Sequence, residues 1–109
     1  MNKIKTEVTF IEKNGMNYSR RIERYENGQI ASEGLFSKSL NDWSWSVPHG
    51  VYKTYYEDGT LKSEEIFDER GARSGTSCYF SKMGRLIRKL EYHEDRLVKE
   101  ENFNTVEKK

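Results

Sequence analysis

The chain has 109 residues, a formal net charge of +1, and hydrophobic and charged fractions of 34% each. One domain fits that length, and the interspersed acidic and basic residues exclude the electrostatic footprint of a general nucleic-acid binder. So few apolar residues lie near the limit for folding, but an aromatic content of 13% and a single proline argue for a thin, ordered, aromatic-rich core rather than disorder.

Met1 to Lys13 contains no continuous apolar run, so it does not read as a secretory segment. No stretch reaches the length that spans a membrane as a helix. Cys78 is the single cysteine and has no partner for an intramolecular disulfide. These features together predict a cytoplasmic protein.

The turn signals come next in chain order. Asn14-Gly15 is a candidate hairpin turn, and Asn27-Gly28 and Asp58-Gly59 are stronger ones. A two-residue type I′ turn needs positive φ at both central positions, which Asn-Gly and Asp-Gly supply. Two-residue loops predict the pairs Tyr25 with Ile30, Arg24 with Ala31 and Arg20 with Leu35. In the second hairpin they predict Tyr56 with Leu61, Tyr55 with Lys62, Lys53 with Glu64 and Val51 with Ile66.

The two hairpins are copies of one another. Arg24-Tyr25-Glu26-Asn27-Gly28-Gln29-Ile30-Ala31-Ser32-Glu33-Gly34-Leu35-Phe36 recurs as Tyr55-Tyr56-Glu57-Asp58-Gly59-Thr60-Leu61-Lys62-Ser63-Glu64-Glu65-Ile66-Phe67. A weaker copy runs from Phe80 to Tyr92 through Met83-Gly84, with Ser81 in the tyrosine place. Helix is the competing reading for Lys82 to Lys99; it ranks second because Leu86 and Tyr92 fall at their aligned hairpin positions. Tyr92 to Phe103 reads as a fourth half-copy with Asp95 in the glycine place, a residue that tolerates left-handed backbone. Residues 104–109 are expected to fray. Repeats of this length predict stacked units that share one core.

The stretch Gly50-Val51-Tyr52-Lys53-Thr54-Tyr55-Tyr56-Glu57-Asp58-Gly59-Thr60-Leu61-Lys62-Ser63-Glu64 resembles the bacterial MORN-repeat variant of YwqK-like proteins, a family labelled as an antitoxin component. The resemblance spans about residues 18–103 of this single domain. It implies an all-β, antiparallel meander of stacked hairpins. It also implies a protein-contact role, in some cases as antitoxin or immunity partner, with MORN-type scaffolding or anionic-lipid binding as the alternative. The family carries no catalytic residues to transfer.

The chemistry of the chain agrees with a non-catalytic, cofactor-free reading. His49 and His93 do not stand at metal-ligand spacing from each other or from Cys78. Neither a nucleophile elbow nor a phosphate-binding loop is present. Cys78 reads as a small buried thiol. Adjacent carboxylates such as Glu64-Glu65 point to opposite sides of a strand. Arg85, Arg88 and Lys89 form the densest basic run, read as a solvated or ion-paired strand.

Candidate contact residues lie in two places. The insertion at 37–49 carries Trp43 and Trp45, which share a face if extended, and ends at His49. Tyr52, Tyr55 and Tyr56 follow it, with Tyr52 and Tyr56 on one side of the strand and Tyr55 on the other. The expected partner is a protein; membrane lipid is the weaker alternative, and the two open sheet edges make a homo-oligomer a further expectation.

Overall fold

The computed structural model describes residues 3–38 and 47–103. Eight strands occupy them: β1 (Lys3–Lys13), β2 (Met16–Tyr25), β3 (Ile30–Ser37), β4 (Val47–Tyr55), β5 (Leu61–Phe67), β6 (Gly75–Phe80), β7 (Leu86–His93) and β8 (Arg96–Asn102). They form one sheet in sequence order, with every neighbouring pair antiparallel. The expected all-β meander is therefore the fold. Lys82 to Lys99 holds β7 and part of β8, as the hairpin reading ranked first for this stretch expects, and not the helix ranked second. The sequence reading also assigned no element to Met1–Lys13, where the eleven-residue β1 runs.

The turns correct the sequence reading in one respect. Asn14-Gly15 is a two-residue loop with positive φ at both residues, 52° and 77°. At Asn27-Gly28 and Asp58-Gly59 only the glycine has positive φ, 88° and 92°. In each of these hairpins the tyrosine before the loop closes it at both ends. Gly28 N–H donates to Tyr25 C=O at 3.0 Å, and Tyr25 N–H donates to Gln29 C=O at 2.9 Å. Gly59 and Tyr56 do the same, with Thr60 at 2.8 Å. This is a three-residue loop ending in a left-handed glycine, so the register next to the turn slips by one.

Tyr25 thus faces Gln29 rather than Ile30, Arg24 faces Ile30, and Tyr55 faces Leu61. Ala31 and Lys62 become the extra residues of β-bulges, and beyond them Arg20–Leu35, Lys53–Glu64 and Val51–Ile66 pair as expected. The same loop forms at Lys82-Met83-Gly84, where Gly84 has φ 86° and Met83 does not need positive φ. It forms again at Glu69-Arg70-Gly71, which the sequence reading passed over. There Asp68 Oδ1 accepts the N–H groups of Arg70 and Ala72 at 2.9 and 3.0 Å. These bonds, that to Ala72 first, hold the carboxyl below its ordinary pKa.

Register is set by side-chain rows that cross the sheet. On one face the cross-strand neighbours Glu33, Lys53, Glu64, Cys78, Lys89 and Glu101 place opposite charges next to each other, with Cys78 between Glu64 and Lys89. A one-residue slip would turn this row to the other face. Cys78 is half-buried there, less enclosed than the sequence predicts.

The opposite face has the aromatic side chains. Among the described residues no second layer covers these strands, and rings lie along the sheet over small residues. Ser19, Ser32, Ser63 and Ser77 are buried in this way, and Ser19 lies directly between Phe10 and Phe36 in the register. Gly34 is the tightest such place: a Cβ there would stand 2.5 Å from Cδ1 of the Tyr52 ring.

Hairpins are tied to one another by tyrosines. Tyr25 Oη donates to the carbonyl of Tyr55 at 2.7 Å, passing over β3 to β4. Tyr56 Oη donates to the carbonyl of Phe80 at 2.7 Å, passing over β5 to β6. Each tyrosine reaches the residue just before its own counterpart in the next copy. Ser81, in the third tyrosine place, instead accepts Met83 and Arg85 N–H groups at 3.2 and 3.3 Å, so the ladder stops there. The last hairpin turns through Glu94-Asp95, both at positive φ (49° and 67°). Its Asp95 clamps Arg73: the Arg73 N–H donates to Asp95 Oδ1 at 3.2 Å, and Asp95 N–H donates to Arg73 C=O at 2.9 Å. That bond explains an aspartate where a glycine would strain less.

Tyr25→Phe and Tyr56→Phe remove one hydroxyl each and leave the rings in place. Each is expected to lower stability by about 1 kcal/mol in urea unfolding, whereas removing a surface hydroxyl without such a bond leaves it unchanged.

Candidate interaction surface

The aromatic face concentrates side chains suited to contact at its β1–β4 half. Phe10 on β1 is 67% exposed. The Arg21 guanidinium on β2 lies 4.4 Å from the centroid of the Phe36 ring on β3. Phe36 in turn meets Tyr52 on β4 edge-on, with centroids 5.9 Å apart. The register places Phe10, Ser19 and Phe36 in one row and Arg21 with Gly34 in the next. The buried Ser19 and Gly34 are the gaps that let the larger side chains lie flat. A second arginine repeats the motif at the other half: Arg73 stands 5.8 Å from the Phe67 ring and 5.6 Å from the Tyr92 ring. Tyr79, on the same face, donates its hydroxyl to Glu65 at 3.1 Å.

The candidates chosen from sequence do not converge. Trp43 and Trp45 lie outside the described residues. His49 stands on the charged face, stacked on Tyr18 with centroids 4.7 Å apart, and its Nδ1 is buried with no hydrogen-bond partner. It borders an open groove of about 590 Å³ also lined by Asn17, Lys38 and Glu69. Tyr52 belongs to the aromatic patch. Tyr55 points to the charged face, where its hydroxyl donates to Glu33, itself ion-paired with Arg20 at 3.0 Å. Tyr56 is committed to the Phe80 carbonyl and carries Lys62 over its ring at 5.6 Å.

Phe10, Arg21, Phe36, Phe67, Arg73 and Tyr92 were missed. Their signal was alternation: Thr6, Val8 and Phe10 fall on one side of β1, and Arg21 aligns with the gap that Gly34 leaves in the neighbouring strand.

Two tyrosines titrate late. Burial first, then the hydroxyl bond and charge of Glu33, push Tyr55 up to about 12. Burial first, then the charge and bond of Glu65, push Tyr79 up to about 12. A raised folded-state pKa stabilises fully below the unfolded value, near 10, and the contribution is lost as pH rises through about 12. A tyrosinate absorbance titration is expected to show late ionisation that Tyr55→Phe and Tyr79→Phe each reduce. Gly34→Ala is expected to displace the Tyr52 ring and lower stability by about 1–3 kcal/mol, read by thermal unfolding beside a Tyr52→Ala/Gly34→Ala double variant that relieves the clash.

Among the described residues no group of three or more His, Cys, Asp or Glu side chains is placed to hold a metal ion. No helix long and apolar enough to cross a membrane occurs among them.

Neither a curated protein nor a solved structure matches the chain. Residues 20–38 and 48–69 match the family model of the MORN repeat variant. The matched stretches cover most of the first two tyrosine-hooked hairpins.

Proposed function

We propose that this is a non-catalytic module that binds a protein through the aromatic face of β1–β4. The observation that carries the reading is the Arg21–Phe36–Tyr52 cluster beside the exposed Phe10. Arginine and large aromatics dominate binding energy at protein interfaces, and rings already held by the sheet lose little freedom on contact. The charges of the other face are largely satisfied within the sheet, so the aromatic face is the better recognition surface. An antitoxin- or immunity-type binder, acting in the cytoplasm by covering its partner, is the specific form of this proposal.

The lipid-binding alternative draws on Arg85, Arg88 and Lys89. Arg88 is ion-paired with Glu100 at 2.9 Å, and strand alternation sends Lys89 to the opposite face. With a net charge of +1 the sheet offers weak attraction to anionic lipid.

The test is capture of a partner by the wild-type chain, by Arg21→Ala and by Trp43→Ala/Trp45→Ala, with unfolding curves for each. Arg21→Ala is expected to retain the fold and to weaken binding by about 2 kcal/mol. Retained binding by Arg21→Ala, with loss in the tryptophan variant alone, moves the site to the insertion. Flotation with anionic vesicles in place of protein capture favours the lipid reading.

A further inference from the structure

We propose that Arg73, framed by Phe67 and Tyr92 on the aromatic face, is a seat for a carboxylate, and that it takes an acidic side chain of a protein segment laid across β5–β7. This site lies at the other half of the sheet from the β1–β4 surface and does not depend on that reading.

Arg73 is fixed at its base. Its main chain forms an antiparallel bridge with Phe67. Its N–H donates to Asp95 Oδ1 at 3.2 Å, and its C=O accepts the Asp95 N–H at 2.9 Å. The guanidinium then stands 5.8 Å from the Phe67 ring centroid and 5.6 Å from that of Tyr92, within cation–π range of both. Gly75, the cross-strand partner of Tyr92, adds no side chain beside that ring.

The head group is placed but its donors are not filled. Among the described residues its one ion pair is with Glu65, met through Nε at 3.5 Å, and that Nε is buried without a hydrogen bond. The side chain as a whole is 43% exposed, which leaves the Nη groups as its outward donors. A guanidinium is weakly hydrated, stacks on rings and presents a planar fork that fits a carboxylate with two parallel bonds. Held in advance by the sheet, it loses little freedom when an acceptor arrives.

The acids around the site already have donors. Glu65 accepts the Tyr79 hydroxyl at 3.1 Å. Asp68 accepts the N–H groups of Arg70 and Ala72, and the Arg70 head stands 3.7 Å from the carboxylates of both Asp68 and Glu94. Asp95 accepts the Arg73 N–H, and Glu100 accepts Arg88 and Asn102 at 2.9 and 3.1 Å. Arg73 is thus the cation whose donors stay open to an incoming group. Glu65 limits what that group is: a doubly charged phosphate meets about twice the repulsion that a carboxylate meets there. Leu97, opposite Tyr92 in the register and 50% exposed, supplies apolar ground for residues flanking the acid, which favours a protein segment over a free small carboxylate.

The test is a titration with the peptide acetyl-Ala-Glu-Ala-amide, followed by the NMR signals of the Phe67 and Tyr92 rings and of the Arg73 Nε–H. Saturable shifts are expected with this peptide and none with its glutamine counterpart. Arg73→Gln is expected to keep the fold, because the bridge and the Asp95 clamp use main-chain atoms of Arg73, and to weaken binding about tenfold or more. Arg73→Lys, which retains the charge without the fork, is expected to fall between. Glu65→Gln reads the same seat without altering Arg73: it removes the opposing charge, leaves an acceptor for the Tyr79 hydroxyl, and is expected to tighten binding. Wild-type shifts that do not saturate, equal binding by a folded Arg73→Gln chain, an equal response to the glutamine peptide, no gain in Glu65→Gln, or saturation by inorganic phosphate but not by the peptide overturns the proposal.

Discussion

A tyrosine hydroxyl that passes over one strand to bond the next is the interaction on which this architecture depends. A single sheet has no opposing layer to hold its hairpins in register, and backbone ladders alone join each strand only to its neighbour. Tyr25 and Tyr56 add a second-neighbour bond, each to a carbonyl one residue before the counterpart of the tyrosine itself. The loop that positions the ring and the carbonyl that receives it are thus parts of the same repeated unit. The Asn27 amide strengthens the first junction by donating to the Glu57 carbonyl at 2.8 Å. Its counterpart Asp58 has no such donor; its carboxyl is held below the usual range by the Thr60 N–H first, with the charge of Lys82 from the next hairpin adding to the effect.

This division of labour gives the two faces different characters. Alternating charges run across one of them and neutralise one another at the cross-strand positions. The other has rings laid over serine and glycine, with Arg21 and Arg73 placed on aromatic faces. Small buried residues are what make such a thin core possible, because a larger side chain under Tyr52 would lift the ring from the sheet. The arrangement turns a shortage of apolar residues into a flat, ordered aromatic surface.

Much of the fold was legible because the repeat aligned loop with loop and strand with strand. Lys53–Glu64, Val51–Ile66 and Arg20–Leu35 all pair as the copies imply. The slip beside each turn was not legible from a dipeptide: Asn-Gly serves both a two-residue loop, as at Asn14, and a three-residue loop with a left-handed glycine, as at Asn27. Which forms depends on whether a bulge such as Ala31 can be absorbed farther along the strand. The site was less legible than the fold. Alternation separated Tyr55 from Tyr52 and Tyr56 in the sequence but not their roles: Tyr52 packs on Gly34, Tyr55 bonds Glu33 on the other face, and Tyr56 ties hairpins together. Sequence proximity placed them together, but the roles came from residues on other strands, Gly34 and Glu33 on β3 and Phe80 on β6. Phe10 and Arg21 were passed over because they stand at the border of the recognised repeats.

Among the described residues, substantial contacts run only between strands adjacent in the chain. Such a molecule behaves as a one-dimensional series of coupled units, in which the loss of a terminal strand removes one interface and leaves the others intact. Opening is then graded, easiest at the ends and hardest in the middle. The Asp95–Arg73 clamp interrupts this gradient at one end, because β7–β8 cannot peel away without also releasing the loop between β5 and β6. The carboxyl-terminal quarter therefore opens as a block, while β1, which has no equivalent clamp among the described contacts of its turn, is free to separate by itself.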